Sequence, residues 1–179
     1  LNWNIGEENT NTESQRKEFA QYFYDHDPYR HHVVLHTYPN QQDQVYDPLL
    51  GNSSTYTGVS VQTSWNEVHD DTKKWVAESL AAGENWVVAN DEQGGANTGV
   101  KPDGNGNNHD DIRIEVLWGN LIGGGAGVEY YFGYSFAHSD LTCEDFRSRD
   151  NMWDYNRYAL EFFNNNNISY WEMMPDDDL

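Results

Sequence analysis

The chain has 179 residues, room for one domain with a buried core, and its 30 Asp and Glu against 10 Lys and Arg give a formal net charge of −20. Charge of that sign repels phosphate backbones and anionic bilayers, which sets nucleic-acid and membrane-surface functions aside. One cysteine excludes an internal disulfide, and the acidic setting of Cys143 disfavours a reactive thiolate.

No apolar run approaches the ~20 residues that a membrane span needs. So acidic a surface suits a solvated protein in a salty medium, where like-charge repulsion is screened. The first expected strand covers residues 1–5. It opens as though in mid-strand, without an initiator Met or a signal peptide, so the chain reads as cut from a longer protein.

Thr12-Glu13-Ser14-Gln15 has the form of a capping box, and Phe19, Ala20 and Phe23 then fall on one helical face. Residues 32–37 form the second strand. The link to the third carries only a single turn around Pro48, within 44–50. Residues 58–62 are the third strand. Ser64-Trp65-Asn66-Glu67 repeats the capping-box pattern before a helix that turns Val68, Thr72, Trp75, Val76 and Leu80 inward and stops at Gly83. Residues 86–90 are the fourth strand.

A third long helix is expected over 110–122, with Ile112, Val116, Leu117 and Leu121 inward, ended by Gly123-Gly124-Gly125. Residues 127–132 are the fifth strand. The last helix starts near Asp150, with Met152, Tyr155, Ala159, Phe162 and Phe163 on one stripe. Trp75, Trp118 and Trp153 lie within helices and are read as core.

Strands with little alternation are covered on both faces, as in a parallel sheet, and strand–helix alternation means right-handed βαβ units. An open dinucleotide-binding sheet would carry a Gly-rich turn after its first strand. Here that turn is Gly6-Glu7-Glu8-Asn9, which repels phosphate, and the Gly123–Gly127 cluster precedes a strand instead of following one. The expectation is an α/β fold in which parallel βα units make part of a closed (β/α)8 barrel, in one partial domain over 1–179.

Active sites of such barrels lie at the C-terminal strand ends. Those ends carry Glu8; His36 and Tyr38; Gln62 and Trp65; Asn90, Asp91 and Glu92; Glu129 and Tyr131. Carboxylates and amides bond sugar hydroxyls, and aromatic faces pack on the apolar face of a pyranose ring. Cleaving a glycosidic bond needs two carboxyl groups, one to protonate the leaving oxygen and one to act as nucleophile or base. Glu8 and Glu92 are the expected catalytic pair, and the other named residues are expected to hold the sugar. The bland alternative is that both Glu are solvated loop carboxylates of a very acidic chain.

Asp103, Asn105 and Asn107 open an EF-hand-like spacing, but Asn108 stands where Gly is required and Ile114 where Glu is required, so no metal is expected there. His31, His32 and His36 lack zinc-site spacing, and no cofactor is expected.

Trp3-Asn4-Ile5-Gly6-Glu7-Glu8-Asn9 and Val87-Val88-Ala89-Asn90-Asp91-Glu92 resemble the fourth- and seventh-strand ends of clan A glycoside hydrolases. The likeness is to bacterial barrels of the apiosidase-like type, which often carry a β-sandwich or collagen-binding module. Segments 75–79, 124–134 and 144–150 resemble that group too. The resemblance implies a barrel missing its first three strands, so that the chain supplies about strands four to eight. It implies Glu8 as acid/base and Glu92, or its neighbour Asp91, as nucleophile in retaining chemistry on an oligo- or polysaccharide, in a secreted or periplasmic protein. A carbohydrate-binding barrel without catalysis, and a fragment without activity of its own, are the rival expectations.

Overall fold

The computed structural model describes residues 2–6, 8, 11–105, 108–142 and 145–177. Five parallel strands form one sheet in the order β1-β2-β3-β4-β5: β1 (Asn2–Asn4), β2 (His32–Thr37), β3 (Gly58–Thr63), β4 (Val87–Gln93) and β5 (Gly127–Val128). Between them run α1 (Glu13–His26), the short α2 (Gln42–Tyr46), α3 (Val68–Ala81) and α4 over residues 109–122; α5 (Asp150–Asn165) follows. The strand order runs without the reversal that marks a doubly wound sheet.

Parallel neighbours in register share a face, so the pairings divide the sheet into two sides. Val33, Leu35, Val59, Val61 and Val88 turn to one side, where Ala20 and Phe23 of α1, Val45 and Tyr46 of α2, and Trp75 and Val76 of α3 cover them in a single cluster. Asn2, Asn4, His32, Val34, His36, Gly58, Ser60 and Ala89 turn to the other. On that side Asn2, Asn4 and His32 are exposed and Ala89 is half-buried. A second cluster joins Val68 to Val100, Ile112, Val116, Tyr130, Phe132 and Met152, tying α3, α4 and α5 together.

The Thr12 capping box forms as expected. Thr12 Oγ1 accepts from Gln15 N at 3.3 Å and Gln15 Oε1 accepts from Thr12 N at 2.9 Å, an arrangement worth about 1 kcal/mol. The Ser64 box does not. Trp65–Glu67 winds a 3-10 turn, α3 begins at Val68, and the Ser64 side chain caps nothing. Gly83 sits past the end of α3 at φ 93°, the left-handed conformation that stops a helix.

Two expected inward residues are outside. Phe19 is 40% exposed because α1 turns Arg16 and Ala20, one turn apart, toward the sheet. Leu80 is 48% exposed because Ser79 takes the inward position, where its hydroxyl accepts from Trp86 N at 3.2 Å. The link after β2 holds more than one turn: α2 is followed by 3-10 turns at Asp47–Leu49 and Gly51–Ser53.

In α4 the middle stretch Ile112–Trp118 is wound as π-helix, with Gly119 N–H reaching back five residues to Ile114 O. Among the residues expected inward there, Ile112, Val116 and Leu117 are buried and Leu121 is half-buried. In α5, Phe162 is exposed beside buried Met152, Ala159 and Phe163. Trp75 is fully buried, whereas Trp118 and Trp153 are half-buried. β5 pairs over only two residues, not six, and β4 extends three residues past its expected end. No described helix is long and apolar enough to cross a membrane.

Candidate functional site

The C-terminal ends of the strands surround a pocket of about 500 Å³ lined by Asn4, Gly6, His36, Asp91, Glu92, Glu129, Tyr131 and Asp140. Four of the five strands, or the turns that leave them, therefore border one hollow, while Ser60 and Gln62 of β3 bond to the β4 carboxylates that line it. The reason lies partly in β4. Val61 pairs with Asn90 and Gln62 with Glu92, so Asp91 is an extra residue opposite nothing. Successive strand residues normally point to opposite faces; this bulge lets Asp91 and Glu92 both reach the pocket.

Asp91 is tightly held. It accepts from Ser60 Oγ, from Asn4 Nδ2 at 3.4 Å, and from His36 Nδ1 at 3.0 Å. Glu92 is held less. Its Oε2 lies 3.7 Å from His36 Nε2. Burial pushes the Glu92 carboxyl above the usual range; a hydrogen bond from Gln62 and the nearness of His36 pull it back, while the charges of Glu8 and Asp91 push it further up. Glu8 is not among the residues that line the pocket, but its charge reaches Glu92. Glu8 itself is half-buried, has φ 42°, and accepts a hydrogen bond from the Tyr38 hydroxyl, whose pKa is raised by it. Its neighbours Glu7 and Asn9 lie outside the described residues.

Of the residues expected to hold a sugar, His36, Asp91, Glu129 and Tyr131 line the pocket. Tyr38 stands beside Glu8, and the Gln62 side chain serves Glu92. Asn90 does not reach the pocket: it is fully buried, and its Nδ2 donates to Val61 O at 2.9 Å, because its place in the strand turns it to the helix side. Trp65 is half-buried and packs against the second cluster, with Gly94 so close that a Cβ there would strike the indole.

Three neighbours of the site were not expected. Asn4 and Ser60 could have been found from the period of two, since both share a face with His36. Asp140 gave no signal; its carboxylate is aimed by accepting from Phe132 N at 3.0 Å. Buried Arg149 holds the same loop through Ala137 O and His138 O.

Burial also raises Glu129, with Asp91 and Asp140 adding to the effect, although the residue as a whole is exposed. A carboxyl raised on folding favours the fold below its unfolded pKa, and that contribution is lost as pH rises through the folded value. Glu129→Gln therefore raises the melting temperature slightly at pH 7, and the gain disappears below about pH 4, the unfolded Glu range. Differential scanning calorimetry at the two pH values checks this.

The calcium-like spacing lies partly outside the described residues, at Gly106 and Asn107, as does Cys143. His109 bonds Lys101 O at 2.6 Å, and among the described residues no group of three or more His, Cys, Asp or Glu could hold a metal. No family model, curated protein or solved structure matches this chain.

Proposed function

We propose that the chain is the catalytic portion of a glycoside hydrolase acting on O-glycosidic bonds of an oligo- or polysaccharide, with Glu8 and Glu92 as its reacting carboxyl groups. The observation that supports this reading is the group of carboxylates, Asp91, Glu92, Glu129 and Asp140, around one hollow at the strand ends, with Glu8 near enough for its charge to raise Glu92. The left-handed backbone of Glu8 supports it, since a non-glycine residue held at positive φ costs energy that sites of function tolerate.

Glu92, raised by burial, is given the acid role, and Glu8, beside the Tyr38 hydroxyl, the nucleophile role. This exchanges the roles implied by the resemblance. Glu129 and Tyr131 would meet the sugar's hydroxyls and ring face.

The fold proposal goes with it: the sheet is a wedge of a (β/α)8 barrel, about strands four to eight. Sequential strand order is what a barrel wedge needs, and the face that carries Asn2, Asn4, His32, His36 and Ser60 opposite the helices fits a barrel interior awaiting further strands. Residues outside this chain would complete the barrel, in a secreted or periplasmic protein without metal or organic cofactor.

Reducing-end release from a panel of plant and algal polysaccharides tests the activity, with the first-formed anomer read by proton NMR. Retention of configuration is expected. Saccharide binding without release of reducing ends would leave a non-catalytic binding module instead.

A further inference from the structure

The bulge gives Asp91 and Glu92 to the same pocket, yet their partners differ. Asp91 has three polar neighbours, and because a carboxylate only accepts, Ser60, Asn4 and His36 must all be donors. That requirement puts a hydrogen on His36 Nδ1. The ring, buried between β1 and β3, then has its other nitrogen, Nε2, turned to Glu92 Oε2 at 3.7 Å.

We propose that His36 is a positioning residue for Glu92, locked by Asp91 into the tautomer whose Nε2 faces that carboxyl, and that Asp91 itself takes no part in bond making. Calling Glu92 a reacting group rests on the function proposed above; the lock does not. A proton that leaves Glu92 Oε2 for Nε2 produces a carboxylate and an imidazolium, while the Nδ1–H to Asp91 bond stays in place and no other bond changes. The site thus keeps one proton available beside Glu92 at no net change of charge.

Other ionisable groups face the same space. Among the described residues, Glu8 follows β1, Asp91 and Glu92 come from β4, Glu129, Tyr131 and Asp140 follow β5, and β3 brings only the neutral Ser60 and Gln62 against the two β4 carboxylates. Among the described residues His36 is the one basic group lining the pocket, so it is the group there able to offset this charge.

Nitrogen-15 NMR of histidine-labelled protein reads the tautomer directly and needs no substitution. The expected result is a His36 Nδ1 that stays protonated across the titration, while Nε2 and the carbon-13-labelled Glu92 carboxyl titrate together in linked steps. In His36→Gln the Glu92 midpoint moves upward and becomes a single step, and in Asp91→Asn the His36 ring loses its fixed tautomer. An Nε2–H tautomer in the unsubstituted protein, or a Glu92 titration unchanged in His36→Gln, overturns the proposal. If the lock is present and no glycoside is cleaved, the hydrolase reading fails alone; cleavage without the lock is the opposite result.

Discussion

Glu92→Gln lowers turnover of an unactivated glycosidic bond by about 10³-fold, within the range that positioned acid–base groups contribute. The amide is isosteric and keeps the contact with Gln62, so loss of packing is not expected to confuse the measurement. Roles separate by leaving group. A nitrophenolate departs without protonation, so if Glu92 is the acid, Glu92→Gln retains much of its first-step rate on a nitrophenyl glycoside. Glu8→Gln then loses that rate on both kinds of substrate, because the attacking carboxylate is gone. Comparable losses on both substrates for Glu92→Gln would return the nucleophile role to Glu92. Burst kinetics on the two substrate classes make the comparison.

Trp75→Ala destabilises the fold by about 4 kcal/mol, the largest single effect expected in the core. Trp75 is fully buried, packs edge-on against Tyr46 at 5.0 Å, and donates from Nε1 to Gln42 Oε1 at 2.6 Å. Truncation leaves a cavity and an unpaired buried amide oxygen together. The damage should reach the pocket as well, because Gln42 Nε2 also donates to Gln62 O at 3.1 Å, behind the residue whose side chain holds Glu92. Trp75→Phe restores much of the volume but not the hydrogen bond, and is expected to cost about 1–2 kcal/mol. Urea denaturation of the two variants measures both numbers.

Much of this architecture was legible from the chain. β2 falls at residues 32–37 as read, because a run of Val and Leu between polar ends has few other readings, and Thr12 with Gln15 marks the start of α1. Weakly alternating strands separated by helical periods gave a parallel sheet, and the sheet is parallel throughout. The misses came where a distant partner decides the outcome. Asn90 looked like a strand-end amide, but its facing depends on pairing with Val61. Ser64 and Glu67 had the letters of a cap, yet a 3-10 turn satisfied that stretch first. The π-turns of α4 and the arrival of Asp140 at the pocket depend on packing and loop closure, for which local periodicity carries no signal.

Consider what the unpaired Asp91 means for how such a strand changes by descent. Inserting a single codon into a regular strand would ordinarily invert every later side chain, exchanging core for solvent. Here the surplus residue is absorbed where it stands: Thr63 still meets Gln93 beyond it, and Gln93 remains buried on the helix side. A lineage can therefore acquire or discard the acid at 91 in one step, without redesigning the layer beneath.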